Sequence, residues 1–186
     1  VQWLGLPEGE WREEELRLAL GRILERCLPH VLYAPSRVDF HPEHYRVACG
    51  VAQVLRDRNP AFSRPLVRIY QVQVPLTPTL TNLITPVDTV ADASFGALLR
   101  YSSQLGSLLR TLRMKRYAAR FFGVAGPVEE FWELTVEGYC ALHPKGPADG
   151  PAGAFRGVRS LALTDPLAYV WGLSERRRLA RIVLRS

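Results

Sequence analysis

The chain of 186 residues carries a formal net charge of +6, and 47% of its residues are hydrophobic. This composition is ordinary for one globular domain with a substantial core. No apolar run is long enough to span a membrane, which excludes an integral membrane helix, and the first residues lack the pattern of a signal peptide. The three cysteines are too scattered for a disulfide framework, so they favour a reducing compartment and predict a cytoplasmic location.

The positive charge is partly concentrated in two segments, Arg110–Arg116 and Glu175–Arg178. Neither segment has the interleaved aromatic residues or glycines of a nucleic-acid-binding module. We therefore predict that both are solvated helix faces, and we expect no nucleic-acid partner.

The first half of the chain alternates between helix and strand patterns. Val1–Gly9 reads as a short strand that breaks into a turn, and a helix is predicted over Trp11–Leu28, where Pro29 ends it. His30–Ala34 is apolar and short, as in a buried strand, and an amphipathic helix follows over His41–Asp57. This order predicts an α/β fold with parallel strands.

The second half is predicted to continue with strands at Arg64–Val74 and Asn82–Ile84, and with a long helix over Ala91–Phe122. Glu129–Tyr139 fits a helix, a strand or both in turn. The chain does not begin with Met, and we expect that an N-terminal part is missing.

The domain organisation follows from a change in composition. Residues 1–144 are predicted to form the α/β domain, and residues 145–153 a loop or linker, because that segment holds three glycines and two prolines. Residues 154–186 are a C-terminal extension that ends in a basic helix, with Ser174 as its N-cap.

A pair of histidines stands between the second predicted strand and its helix. His41 directly precedes Pro42, a residue favoured at the first position of a helix, so His44 falls in the first turn. Residues three apart share a helix face, and both imidazoles are expected to face one pocket beyond the carboxyl end of a strand. The alternative is a capped helix start with no site.

Several motifs together resemble the zinc-dependent de-N-acetylases of the LmbE-like, or PIG-L, family. The resemblance rests on Trp3–Gly9, Tyr33–Ser36 and His41–His44, and weaker similarity continues at Tyr101–Gln104 and Glu130–Phe131. It implies a partial Rossmann-like, three-layer fold with a mostly parallel sheet and helices on both faces. Residues 1–144 would be the C-terminal portion of such a domain.

The chain departs from the family pattern in three ways. Glu43 stands where the family usually has Asp, and Tyr45 where an Arg is common. The family's N-terminal His-Pro-Asp-Asp segment, which supplies a His and an Asp to the zinc and an Asp as general base, does not occur in the sequence.

The resemblance assigns roles to the three functional residues of the His-Pro-Glu-His motif. His44 would be a ligand of Zn²⁺ or another divalent metal, and His41 would stabilise the oxyanion and protonate the leaving amine. Glu43 would hold or polarise His41. These roles match what a catalytic zinc and its supporting groups require.

Three further polar residues are candidates for substrate binding: Ser36, Asp39 and Arg46. Ser36 and Asp39 lie in the loop before His41, from which they can reach the pocket. Turn chemistry explains these two residues equally well, because both types bond to local backbone amides.

Two other pairs repeat the spacing of the two histidines, Cys27 with His30 and Cys140 with His143. A mixed structural zinc site is conceivable, but each of these residues also has an adequate structural explanation, Cys27 in the apolar stripe of its helix among them.

The leading functional hypothesis is a zinc-dependent hydrolase that removes the N-acetyl group from a small-molecule amino sugar or a glycoconjugate. The second is a non-catalytic family member that binds a glycan or a partner. The third, a basic binding module, rests on charge alone.

Overall fold

The computed structural model describes residues 3–39, 41–57, 64–70, 76, 80–100, 114–143, 174 and 176–178. Its elements, in chain order, are α1 (Glu13–Cys27), β1 (Val31–Ala34), α2 (Pro42–Asp57), β2 (Leu66–Tyr70), β3 (Leu83–Pro86), a 3₁₀ turn (Asp88–Val90), α3 (Ala91–Leu99), α4 (114–121), β4 (Val128–Leu134) and α5 (Val136–Ala141). Within these ranges no helix has the length and apolar character needed to cross a membrane.

Helix α1 begins and ends close to the residues that the sequence predicts. Three glutamates occupy its first turn, where they interact favourably with the helix dipole. It ends because Leu28 adopts a left-handed conformation, with φ of 43°, directly before Pro29. The predicted strand over Val1–Gly9 is wrong for the described residues, since residues 3–7 have no regular structure and residues 8–10 form a turn.

The sheet has four strands in the order β1-β2-β4-β3. Strands β1 and β2 are parallel and are joined through α2, with Ala34 opposite Ile69. Strand β4 runs antiparallel to both β2 and β3. The α/β class is therefore confirmed, but the mostly parallel sheet was a wrong expectation, because the helix–strand alternation of residues 13–70 does not continue into the second half.

The main core lies between one face of the sheet and helices α1, α2 and α5. Helix α2 is the most buried helix and includes the predicted apolar residues Ala48, Val51, Val54 and Leu55. The opposite sheet face is more open, since Tyr33 is 53% exposed and Tyr70 37%. The sequence predicts a buried strand over His30–Ala34. Within β1 only Ala34 is buried, because Tyr33 projects from the open face of the sheet.

The remaining predictions have mixed outcomes. Glu129–Tyr139 forms first a strand and then a helix, which is the third of its three predicted alternatives. The long predicted helix is helical at α3 and α4, and residues 101–113 between them lie outside the described residues. The linker at 145–153 also lies outside them. Ser174 is itself helical, as are residues 176–178, so it is not the N-cap of the terminal helix.

Candidate functional site

A tight turn connects β1 to α2 and carries two buried polar residues. The Ser36 hydroxyl accepts a hydrogen bond from the Val38 amide at 3.0 Å, and the Asp39 amide donates to the Ser36 carbonyl at 3.2 Å. Both side chains are nearly inaccessible to solvent. Ser36 therefore has the local backbone role that turn chemistry predicts.

Asp39 links this turn to the helix that follows. Its Oδ1 accepts a hydrogen bond from the His41 amide at 3.1 Å, close to the N-terminus of α2. Its Oδ2 lies 3.0 Å from Nδ1 of His44. This hydrogen bond raises the pKa of His44 above its ordinary value, although the burial of the imidazole partly opposes the effect.

The two imidazoles lie side by side at the N-terminus of α2, as their spacing predicts. The ring centroids of His41 and His44 are 4.7 Å apart, and the ring planes are inclined at 34°. Nε2 of His41 lies 3.8 Å from a carboxylate oxygen of Glu8. Nδ1 of His41 is buried and has no hydrogen-bond partner within the described part of the chain.

Glu43 and Arg46 form a polar network with Trp11 that joins α2 to the start of α1. One Glu43 oxygen lies 3.1 Å from Nη1 of Arg46, and the other accepts a hydrogen bond from the Trp11 indole. Arg46 also donates to the Trp11 carbonyl at 2.8 Å and lies over the indole ring. Both Glu43 oxygens are thus bound by groups other than His41, the residue that Glu43 was expected to hold.

Trp11 was not predicted to contribute to this network, because it is 32 residues away from Glu43. The available signal was the spacing of Glu43 and Arg46, which places an acid and a base on the same helix face. With both groups occupied in this way, Arg46 has a structural role in addition to its predicted role in substrate binding.

Contacts from α5 fix the turn from behind. The Tyr139 hydroxyl is fully buried and lies 3.1 Å from the Pro35 carbonyl and 3.2 Å from that of Ala48. Arg37 donates a hydrogen bond to the Leu142 carbonyl at 3.0 Å. The turn, α2 and α5 are therefore held together as one unit, which orients Asp39 and His44.

The structure does not assemble a complete metal site from its described residues, since no three His, Cys, Asp or Glu side chains there form a possible ligand group. Cys27 and His30 are exposed. The prediction that Cys27 belongs to the apolar stripe of α1 is therefore wrong. His143 is buried and its Nδ1 lies 2.8 Å from the Tyr139 carbonyl, while the Cys140 thiol is directed at the Ala52 carbonyl. These contacts agree with structural roles for Cys140 and His143.

The fold and site together define an α/β protein with a buried Asp39 bonded to a partly exposed His44, at the carboxyl end of two parallel strands. No protein-family model matches the chain, and no curated protein does. Among solved structures, the chain is similar to the crystal structure of the conserved protein TT1542 from Thermus thermophilus, with 26% sequence identity and a TM-score of 0.54.

The match to TT1542 covers 68% of this chain and 62% of that chain, so this chain spans about 62% of its neighbour's length. The similarity agrees with the α/β fold. The neighbour's name states no activity, and the resemblance to zinc-dependent deacetylases therefore rests on sequence motifs.

Proposed function

We propose that the chain is part of a metal-dependent hydrolase that removes the N-acetyl group from an amino-sugar derivative, with His44 as a zinc ligand and His41 as the acid. The observation that carries this proposal is the hydrogen bond between Asp39 and Nδ1 of His44, 3.0 Å in length. Metal-binding histidines commonly donate their second ring nitrogen to a carboxylate, which fixes the ring and raises its basicity.

The Asp39 contact leaves Nε2 of His44 as the nitrogen that can bind a metal. A catalytic zinc takes about three protein ligands and keeps one position open. Among the described residues His44 would take one of these ligand positions, and no three His, Cys, Asp or Glu side chains there form a full ligand group. The other ligands would come from residues outside the described ranges or from a second chain. When bound, zinc lowers the pKa of a water molecule and polarises the amide carbonyl.

His41 is placed to act beside such a ligand. Its ring lies 4.7 Å from that of His44, and its Nε2 lies 3.8 Å from a carboxylate oxygen of Glu8. Hydrolysis adds water across the amide and gives acetate and a free amine. His41 would donate the proton that the leaving amine requires.

The rest of the proposal follows the sequence motifs. The substrate would be a small N-acetylated amino sugar or a glycoconjugate. Arg46, which is partly exposed, would contact it directly, whereas the buried Ser36 and Asp39 would act by holding the turn and His44 in place. The domain would have the three-layer, Rossmann-like arrangement of the resembling family, and a cytoplasmic location remains a prediction from the cysteine content.

The ligand role of His44 can be tested by titrating the chain with Co²⁺ and following the ¹⁵N resonances of its imidazoles. We expect Nε2 of His44 to broaden at a lower Co²⁺ concentration than the ring of exposed His30, and Asp39→Asn to reduce this preference about tenfold. If His30 responds before His44, the assignment is wrong.

A non-catalytic binding domain is the second candidate, and it is favoured by the incomplete ligand set among the described residues. The two functions differ in their products. Acetate release from N-acetyl-D-glucosamine in the presence of Zn²⁺, lost in both His41→Ala and His44→Ala, supports the hydrolase. Binding of the sugar without acetate release supports the second candidate.

A further inference from the structure

Helix α4 packs against the start of β4 with one of its faces. Ala118 and Ala119 are buried in one cluster with Val128, where their small side chains let the helix approach the sheet closely. Lys115 adds an ion pair to Glu129 at 2.6 Å. These contacts fix the inner side of α4, and the side chains on its other side are turned away from the sheet.

The outer face of α4 consists of Arg116, Tyr117, Arg120 and Phe121, all of which are exposed. Tyr117 is 59% exposed and Phe121 53%, and their ring centroids are 6.3 Å apart. The two arginines have the same spacing of four residues, so they form a second row beside the rings. Neither guanidinium has an ion-pair partner among the described residues, and both charges therefore face solvent.

More exposed apolar side chains start from the same corner of the sheet. The end of β3 pairs with the start of β4, and the Val87 amide donates a hydrogen bond to the Pro127 carbonyl at 3.0 Å. The 3₁₀ turn after β3 therefore begins beside the loop that follows α4. Its residue Val90 is 52% exposed, and Phe95 and Leu99 of α3 are 44% and 49% exposed. Large apolar side chains exposed together are typical of an interaction surface.

We propose that the outer face of α4 docks on an anionic lipid surface. The positive charges of Arg116 and Arg120 complement the negative headgroups, and the rings of Tyr117 and Phe121 insert between them, as in helices that lie in the membrane interface. Proteins that bind single-stranded nucleic acid hold its backbone in a basic groove, whereas this face is the convex side of one helix. The inference does not depend on the proposed hydrolase activity.

The test is flotation of the full chain with vesicles of about two parts phosphatidylcholine to one part phosphatidylserine, and with vesicles of phosphatidylcholine alone. We expect the unsubstituted protein to bind the anionic vesicles more tightly. In Arg116→Gln/Arg120→Gln this binding should weaken about ten- to thirtyfold, because two charges near the anionic surface are lost. In Tyr117→Ser/Phe121→Ser it should weaken about tenfold, because the apolar area that inserts is lost.

Arg22→Gln/Arg26→Gln is the matched control, because these exposed arginines of α1 have the same spacing and the same total charge. This variant should bind the vesicles as the unsubstituted protein does. If Arg116→Gln/Arg120→Gln binds no more weakly than the control, net charge and not the outer face of α4 explains the binding, and the proposal is wrong. It is also wrong if the unsubstituted protein does not bind the anionic vesicles. A third contrary result is a loss of single-stranded oligonucleotide binding in the α4 variants while their vesicle binding is kept.

Discussion

Asp39 combines two functions at the scale of a single residue. One carboxylate oxygen accepts a hydrogen bond from the His41 amide, directly before α2, and the other holds the His44 imidazole. Its side chain is almost fully buried, so these hydrogen bonds replace the water that it loses. Asp39 therefore has the local backbone role that turn chemistry predicts, and it also orients His44 of the candidate site.

Asp39→Asn is expected to lower the pKa of His44 in the metal-free protein. The hydrogen bond to the carboxylate is the main cause of the raised pKa, and burial acts in the opposite direction. With the charge of Asp39 removed, only the charges of Glu43 and Glu8 still oppose the effect of burial, and the pKa of His44 should fall. NMR titration of the imidazole measures this change. Asp57→Asn, which alters an exposed ion pair of α2, should leave it unaffected.

Tyr139→Phe is expected to destabilise the protein by about 1 kcal/mol, because it leaves a buried carbonyl without its hydrogen-bond donor. The hydroxyl reaches the carbonyls of Pro35 and Ala48 and thereby joins the turn to α2. Urea unfolding measures the change. Tyr117→Phe alters an exposed tyrosine and serves as the control. Equal stability of the two variants would show that this bond contributes nothing.

The positions of His41 and His44 could be predicted because the signals are local. Pro42 marks the first residue of α2, and a spacing of three residues determines the shared face. The partners of Glu43 could not be predicted in this way, since Trp11 comes from the start of a different helix. Contacts between residues far apart in sequence depend on how the helices pack.

At the scale of elements, the same distinction explains the sheet. The helices α1 and α2 and the strands β1 and β2 follow from apolar periodicity, from Pro29 after the end of α1 and from Pro42 at the start of α2. Strand direction in the second half has no such local signal. Strand β4 enters between β2 and β3 and is antiparallel to both, which the earlier alternation of helix and strand does not indicate.

The contact between α1 and α2 requires a small residue at position 50. A Cβ atom added to Gly50 would lie 2.7 Å from Cδ2 of Leu16, which is itself buried. In Gly50→Ala the buried Leu16 must shift within a packed interface, which should outweigh the helix propensity that Ala gains over Gly, and we expect a net destabilisation of up to about 2 kcal/mol. Thermal unfolding by circular dichroism checks this expectation.

Gly21→Ala is the matched control for the interface, because a Cβ at this position of α1 meets no atom within 4 Å. Here the higher helix propensity of Ala should stabilise the protein by up to about 1 kcal/mol. Opposite signs for the two substitutions support close packing of the helices. A stabilising Gly50→Ala would show that Leu16 moves without cost.

At the scale of the whole molecule, two histidines couple stability to pH with opposite signs. The pKa of His44 is raised by Asp39, so its contribution is present at acid pH and is lost as the pH rises through its folded-state pKa. Burial, with the neighbouring charges of Arg37 and Arg56 acting in the same direction, lowers the pKa of His143 from 6.5 to about 4. His143 therefore favours folding only while it stays neutral.

Between pH 6.5 and about 4 we expect the effect of His143 on stability to exceed that of His44, because His143 is much more deeply buried than His44. In this range the unfolded chain takes up a proton that the folded protein excludes, and the free energy of unfolding should fall by up to about 3 kcal/mol as the pH decreases. His143→Gln cannot be protonated and should remove this part of the pH dependence. Urea unfolding at a series of pH values measures the slope for each protein.

His30→Gln is the control for that measurement, because His30 is exposed and its loss should leave the slope unchanged. The expectation for His143 includes a sign as well as a size. As the pH falls, the free energy of unfolding should decrease more steeply for the unsubstituted protein than for His143→Gln. The difference between the two proteins should therefore shrink, since only the unsubstituted protein loses stability through protonation of this residue. Parallel curves for the two proteins would mean that His143 is protonated as readily in the folded state as in the unfolded chain.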